Sequence, residues 1–475
     1  MNLFRRSALV LVLAWLFCDL AIQAPAVSSP PLRGYYMTFM RMPVMEFADW
    51  KDSFDCISDD GANTVVLWMG GGFRSKKFPI TWAYNKDHKN VEADFVRELI
   101  DYAHQKKIRI LLGFTPFGYD GVNQYALEHP DLKARKADGS PVEPFGIHSW
   151  GWSLCPSKAA SQQFMSGYVR EMLFDFYPNA DGLMIESSDY NICRCPDCAN
   201  SYYEREFQFV EKLSREVWQK KPEATILVYP HYFTGKKANA GTAIEAEAAK
   251  RPFDNRWQLV FTPHSAKIDS ELLKNGATGI FSDQGLSLGT PDTLKAAAQF
   301  ARNQALGYLP SLEPFSYMLA HEEFGASHLV GKRLSPLGFD WMSDPRRPLR
   351  ELPAQVLRFA FREFSSNPDL SDEEFRRRVG TQFFGDPAAA SAVDDLLFLQ
   401  QCINLDRVWV TASPLVDPEW YKLKSAREQW SQERQHVYGQ RLARLREISE
   451  RYGNATNQTR REVNRIASFI IKRFK

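Results

Sequence analysis

Two acidic side chains and a group of cysteines share one short segment of this sequence. Glu186 and Asp189 follow the apolar run 181–185, which is typical of a buried β-strand. Cysteines at Cys-x-Cys-x-x-Cys spacing then occupy 193–198. Carboxylates at the end of a strand are placed for general acid–base or nucleophilic chemistry. Cysteines at this spacing indicate a loop held by a metal ion or by disulfides.

A fourth cysteine, Cys155, completes the candidate metal set with Cys193, Cys195 and Cys198. Four thiolates suit tetrahedral zinc, and a closed set of four ligands is structural rather than catalytic. A disulfide from Cys155 to one of the other three, or free thiols, are the alternatives. The remaining mature cysteines, Cys56 and Cys402, stand alone in helical segments, where we expect buried thiols.

Eight apolar runs alternate with helical segments between residue 33 and about residue 315. Runs that are apolar throughout are expected in parallel strands buried on both faces. This pattern predicts an α/β fold: a (β/α)8 TIM barrel, whose active site lies at the carboxyl ends of the strands. A doubly wound sheet is the alternative, but no Gly-rich phosphate turn follows the first strand. The predicted strands are 34–39, 64–68, 108–113, 181–186, 225–229, 258–262, 278–282 and 308–312.

Polar residues follow several of these strands and should converge on one basin. A ring of acids in such a cleft can hold one carboxyl protonated and another ionised, as glycoside hydrolysis requires. Any of the acids could instead cap the next helix. We expect His231 and His264 to bind substrate rather than act as bases. The candidate catalytic residues are Glu186, Asp283, Glu313 and Asp189.

Aromatic residues are plentiful, with 12 Trp, 18 Tyr and 33 Phe. Trp68, Trp150 and Trp152 lie in or after predicted strands two and three, where they could stack on sugar rings. Arg41, after the first strand, could bind an anionic sugar. Packing in a large core is the alternative explanation for each tryptophan.

The N-terminus resembles an export signal, because Arg5 and Arg6 precede an apolar run that ends in small residues near Ala24 and Ala26. We therefore expect an exported, periplasmic or extracellular protein without a membrane span after cleavage, and an uncleaved anchor is the alternative. The formal net charge of +2 indicates no nucleic-acid partner, and oligomerisation stays open. The predicted domains are a signal peptide at 1–26, a catalytic barrel at 30–330 and a helical C-terminal domain at 331–475.

The region after residue 330 is rich in Arg, Glu and Gln at helical spacing. Ser371 and Glu374 have the spacing of a capping box, which predicts a helix start. The sequence predicts helices at 351–364, 372–379, 386–404 and 420–474.

The order of Cys155, a strand-four acid and Cys193-x-Cys195-x-x-Cys198 resembles the zinc-binding β-galactosidases of glycoside hydrolase family 42. This resemblance implies that Glu186 is the general acid/base and that the four cysteines hold zinc beside it. The stretch 362–386 resembles the helical region after the barrel in α-glucuronidase-like and hexosaminidase-like enzymes. Two departures are that Ile185 precedes Glu186 where the larger clan has Asn, and that Asp283 replaces its strand-seven glutamate.

These observations predict an exported glycoside hydrolase that acts on an oligosaccharide, polysaccharide or glycoconjugate. A non-catalytic carbohydrate-binding protein on a degenerate barrel is the alternative. A zinc-dependent hydrolase would need an open metal position with His ligands, and the all-cysteine cluster argues against it.

Overall fold

Eight strands form one parallel sheet, and their order in the sheet is their order along the chain. Consecutive strands pair in parallel, from Gly34↔Thr64 in the first pair to Phe281↔Tyr308 in the last. The prediction of an α/β fold with a parallel sheet is thereby confirmed. The strands are β1 (Gly34–Thr38), β2 (Thr64–Trp68), β3 (Arg109–Phe114), β4 (Gly182–Glu186), β5 (Thr225–Tyr229), β6 (Gln258–Phe261), β7 (Thr278–Phe281) and β8 (Gly307–Tyr308).

A computed structural model describes much of the chain after residue 31. The predicted signal peptide at 1–26 lies outside the described residues. Within them, no helix is both long enough and apolar enough to cross a membrane. The described ranges are 32–38, 46–69, 72–83, 89–118, 122–142, 152–186, 192–229, 254–261, 278–281, 290–303, 307–310, 347–405 and 432–473.

The first and last strands are joined by main-chain hydrogen bonds. Tyr36 N–H donates to the Pro310 carbonyl at 3.0 Å, and Tyr308 N–H donates to the Leu32 carbonyl at 2.7 Å. Arg33 and Tyr308 also form a parallel bridge. The edge groups of β1 and β8 therefore find partners in each other, which leaves fewer unpaired backbone groups at the sheet edges.

Helices lie between most of the strands. One helix runs through 159–176, with a π-helical last part at Glu171–Phe176. Asp94 has a φ of 43° and separates the short helix Lys89–Ala93 from the helix Val96–Gln105. The helices of this region are α1 (Phe47–Asp59), α2 (Lys89–Ala93), α3 (Val96–Gln105), α4 (Val122–Glu128), α5 (Ala159–Arg170), α6 (Tyr202–Lys220) and α7 (Pro291–Asn303).

The next helix, α8 (Leu352–Ser366), is anchored to the amino end of the sheet by a buried ion pair. The Arg358 guanidinium donates to both carboxylate oxygens of Asp60, at 2.7 and 3.0 Å. Tyr35 donates to the same carboxylate at 2.8 Å, and its ring lies 4.7 Å from that of Phe361. Since α8 also packs against α7, it bridges the helices that follow β1 and β7.

Further helices follow α8. Ser371 caps one of them by accepting a hydrogen bond from Glu374 N–H, so the predicted start is confirmed. The prediction of a single helix at 420–474 is wrong, because residues 452–457 form a turn containing Gly453, and glycine disfavours helix continuation. These helices are α9 (Asp372–Val379), α10 (Ala390–Leu405), α11 (Gln432–Arg451) and α12 (Gln458–Arg473).

Candidate functional site

Glu186 is the last residue of β4, and its half-buried carboxylate accepts a hydrogen bond from Tyr36 of β1 at 3.3 Å. Two strands separate β1 from β4 in the sheet. In a flat sheet with strands about 4.8 Å apart, these residues would be about 14 Å apart. The contact therefore requires a sheet curved so that both side chains lie on its concave face.

Trp68, the last residue of β2, lies beside Tyr36. Its ring meets the Tyr36 ring edge-on, with centroids 6.1 Å apart and planes at 80°. Gly113 of β3 leaves room for the indole, because a Cβ at that position would lie 3.1 Å from Trp68 Cε3. Trp68 is only 4% exposed, so its indole is buried and packs against the Tyr36 ring.

Tyr229 is the partner of Glu186 in the register of β4 with β5, and both side chains are half-buried. Residues paired in parallel strands face the same side of the sheet. The carboxyl ends of β1, β2, β4 and β5 thus bring one carboxylate, one indole and two phenols to the same face. A carboxylate flanked by aromatic rings can exchange a proton with a bound group while the rings contact its apolar faces.

Residues 75 and 76, in the loop after β2, are held by the buried acid Glu171. Its carboxylate accepts hydrogen bonds from the Ser75 hydroxyl at 2.6 Å and from Lys76 N–H at 2.9 Å. The Arg74 guanidinium lies over the Trp82 ring, 4.9 Å from its centroid. These contacts give the loop that follows Trp68 a defined path.

The predicted cysteine cluster is brought together by the fold. The ligand sulfurs of Cys155, Cys193, Cys195 and Cys198 all lie within 4.8 Å of one another, so this set could hold a metal ion. The Cys155 sulfur is 3.8 Å from that of Cys195 and 3.6 Å from that of Cys198. A tetrahedron with Zn–S bonds of about 2.3 Å has edges of about 3.8 Å, whereas a disulfide bond is about 2.05 Å. The donor set therefore fits a four-coordinate thiolate site, and no disulfide joins the cysteines of the described residues.

Two loops supply these sulfurs, one after β3 and one after β4. Arg135 N–H donates to the Cys193 sulfur at 3.2 Å, and Arg194 N–H donates to the Arg135 carbonyl at 2.6 Å. Cys155 N–H donates to the Leu132 carbonyl at 2.8 Å. A small apolar cluster, separate from the main core, surrounds the sulfurs and consists of Ala134, Val142, Cys155, Cys193, Cys198, Tyr202 and Tyr203.

The pKa values of the clustered thiols are shifted in opposite directions. Hydrogen bonds from Cys193 and Cys198 lower the pKa of Cys155. The hydrogen bond to Cys155 raises the pKa of Cys193 to about 11. Cys155 is thus the sulfur most easily held as a thiolate, the form that binds metals. The Ser157 hydroxyl, 3.0 Å from the Cys155 sulfur, adds a polar partner.

Trp152 lies on the loop that leads to Cys155. It is half-buried, and the Lys133 ammonium sits 3.8 Å from its ring centroid, a cation–π contact. Lys133 also forms an antiparallel bridge with Leu154, two residues after Trp152. In the described structure Trp152 therefore belongs to the loop pair around the cysteines.

Seven predicted site residues lie outside the described residues. Tyr36, in contrast, was not singled out by the sequence although its hydroxyl contacts Glu186. The alternation of side chains along β1 could have indicated it, because every second residue of a strand lies on the same face of the sheet. The seven are Arg41, Trp150, Asp189, His231, His264, Asp283 and Glu313.

No protein-family model matches this chain, and no curated protein matches it in sequence. Its structure is similar to a GH138 enzyme targeting pectin rhamnogalacturonan II, with 12% identity and a TM-score of 0.54. That similarity covers 93% of this chain and 70% of the enzyme. The chain therefore shares the fold of a glycoside hydrolase.

Two further solved structures are similar at lower scores. A β-N-acetylhexosaminidase from Bacteroides fragilis has 13% identity and a TM-score of 0.47, covering 75% of this chain and 70% of that chain. A chitobiase from Flavobacterium johnsoniae has 13% identity and a TM-score of 0.43, covering 92% of this chain and 78% of that chain.

Proposed function

We propose that this protein is an exported glycoside hydrolase in which Glu186 is the general acid/base. The main support is the position of Glu186 at the carboxyl end of β4, with Tyr36 donating to its carboxylate from across the sheet. Active sites of parallel α/β barrels lie at this end of the strands. The shared fold with the GH138 enzyme is consistent with the proposal. The substrate would be an oligosaccharide, polysaccharide or glycoconjugate.

The reaction needs a second carboxylate, for which we propose Asp283, Glu313 or Asp189. In a retaining reaction, Asp283 or Glu313 attacks the anomeric carbon while Glu186 protonates the leaving oxygen, and Glu186 then takes a proton from water. In an inverting reaction, Asp189 or Asp283 activates the water. Carboxyl groups about 5–5.5 Å apart favour retention, and about 6.5–9.5 Å apart favour inversion. Trp150, His231, His264 and Arg41 are proposed to bind the sugar. Trp68 and Trp152, also predicted to stack on sugar rings, pack against Tyr36 and Lys133.

We further infer that the sheet closes as a (β/α)8 barrel. The hydrogen bonds between β1 and the residues around β8 support this closure. Helix α8 would be the outer helix after β8, because it packs between α7 and α1. Helices α9 to α12 would form the C-terminal helical domain.

The metal proposed for the four cysteines is zinc. It would be held by Cys155, Cys193, Cys195 and Cys198, whose sulfur separations suit tetrahedral thiolate coordination. Four protein ligands leave no open position, so the ion would join the loops after β3 and β4 and take no part in bond cleavage. Glu186 lies at the start of the second of these loops, so the ion would also limit movement of the acid.

The test is hydrolysis of a panel of aryl glycosides by the wild type and Glu186→Gln. Loss of the general acid should lower kcat/KM for phenyl glycosides by about 10²- to 10⁴-fold and for dinitrophenyl glycosides far less, because a dinitrophenolate leaves without protonation. Glu216→Gln is a matched control, since Glu216 pairs with Arg170 on the outer helices. Equal turnover by wild type and Glu186→Gln contradicts the proposal. Sugar binding without any cleavage by the wild type would favour the non-catalytic alternative.

A further inference from the structure

Tyr36 contacts three other segments through its N–H, its ring and its hydroxyl. Its N–H donates to the Pro310 carbonyl beyond β8, its ring packs edge-on against Trp68 of β2, and its hydroxyl donates to Glu186 of β4. The side chain is 8% exposed. Because backbone and ring are both held, the hydroxyl has a nearly fixed position at the carboxyl end of the strands.

Glu186 needs such a fixed neighbour if it is to act as a general acid. A glutamate has three side-chain torsions, and only some of its rotamers direct an oxygen at a given point. The hydrogen bond from Tyr36 to Oε2 favours one of these rotamers over the others. The neighbouring Tyr35 points to the opposite face of the sheet, where its hydroxyl donates to Asp60.

We propose that Tyr36 is a positioning residue for Glu186, holding its carboxyl group in the orientation that delivers the proton to the glycosidic oxygen. This inference rests on the proposed acid/base function. The proton passes from the Glu186 carboxyl group to the glycosidic oxygen as the bond to the anomeric carbon breaks, and the electron pair of that bond stays on the oxygen. Tyr36 keeps its own proton.

The Tyr36 hydrogen bond should strengthen during this step. Negative charge grows on the carboxylate as the proton leaves, and hydrogen bonds to charged acceptors are shorter and stronger than neutral ones. The present O···O distance of 3.3 Å is long for a hydroxyl donor, so there is room for it to shorten. In the bond-cleaving step, the effect is confined to leaving groups that need protonation.

The experiment compares Tyr36→Phe with the wild type on phenyl and dinitrophenyl glycosides of the same sugar. Loss of one hydrogen bond to a developing charge should lower kcat/KM, which reports the bond-cleaving step, by about ten-fold on the phenyl glycoside. On the dinitrophenyl glycoside we expect kcat/KM to change by less than about two-fold, since its departure needs no acid. Tyr35→Phe is the matched control: it should lower the Tm and leave the ratio of the two rates unchanged.

A double-mutant cycle with Glu186→Gln completes the test. If Tyr36 acts through Glu186, Tyr36→Phe has no further effect in the Glu186→Gln background, because coupled residues are not additive. Equal loss on both glycosides, or full additivity with Glu186→Gln, overturns the inference and leaves the proposed function intact. A Glu186→Gln variant as active as the wild type overturns both.

Discussion

The amino and carboxyl ends of the sheet are held together in different ways. At the amino end, Asp60 is fully buried and bound by Arg358, a residue 298 positions away in sequence. At the carboxyl end, Cys155 meets Cys195 and Cys198 from positions 40 and 43 away, in neighbouring loops. The first contact joins the two halves of the chain, whereas the second joins two adjacent loops beside a half-buried acid. Damage to the first should therefore be global and damage to the second local.

The largest effect is expected for Arg358→Met. It leaves the Asp60 carboxylate buried without its guanidinium, and breaking a buried pair in this way costs about 3–5 kcal/mol of unfolding free energy. Urea denaturation measures this loss. Arg362→Met is the control: its guanidinium is 3.5 Å from Asp60 and one-third exposed, so we expect a cost below about 1 kcal/mol. If both variants lost the same unfolding free energy, the buried Asp60 carboxylate would not depend on Arg358 more than on Arg362.

Cys155→Ala should act on the other end of the sheet. Purified wild type should hold about one equivalent of zinc, and the variant less than about half. Hydrogen exchange should quicken in 132–142 and 192–201, while 56–60 and 349–362 keep their protection. Cys402→Ala, at another buried thiol, should retain the metal. A wild type with less than about half an equivalent of zinc would favour disulfides. If hydrogen exchange quickened at both ends of the sheet, the effect of Cys155→Ala would be global rather than local.

Ser157→Ala should have a smaller effect at the same end. Its hydroxyl lies 3.0 Å from the Cys155 sulfur and 3.9 Å from that of Cys195. Partners of metal ligands commonly contribute about ten-fold or more to affinity, so we expect zinc to bind about ten-fold more weakly. Competition with a chromophoric chelator measures this. Ser201→Ala should bind zinc like the wild type, because the Ser201 hydroxyl donates to the Asp197 carbonyl and accepts from the Arg205 guanidinium. Equal weakening in both variants would argue against a specific contribution of Ser157.

The smallest effect is expected at an exposed ion network in α9. Hydrogen bonds from Arg377 and Arg378 lower the pKa of Glu374 to about 2, from an ordinary value of 4.5. A carboxylate with a lowered pKa stabilises the fold above its ordinary value and loses that contribution as the pH falls through about 2. Glu374→Gln should be slightly less stable at pH 6 and approach the wild type between pH 4.5 and pH 2. A difference that is the same at all pH values would rule out this origin.

Local patterns in the sequence predicted much of the sheet and of the cysteine cluster. Runs such as 64–68 and 225–229 were placed at the observed bounds, because strands buried on both faces are apolar throughout. Cys155 was assigned to the other cysteines on chemistry alone, since few groups other than a metal or a disulfide require four thiols together.

Contacts between distant segments could not be read from local patterns. Tyr35 and Tyr36 are identical in type, and only the strand register shows that one faces Asp60 and the other Glu186. Asp60 carried no local sign that its partner would be Arg358. The turn at 452–457 was missed because its flanks, α11 and α12, are both strongly helical in composition.

The Asp60–Arg358 pair also bears on the order of folding. Asp60 is synthesised long before Arg358, and until α8 arrives its carboxylate has no guanidinium and must stay in water. Contacts of such high sequence separation close slowly, because the loop entropy is lost before the contact forms. The first strands and α8 should therefore consolidate together at a late stage, and chains that end before Leu352 should remain open at the amino end of the sheet.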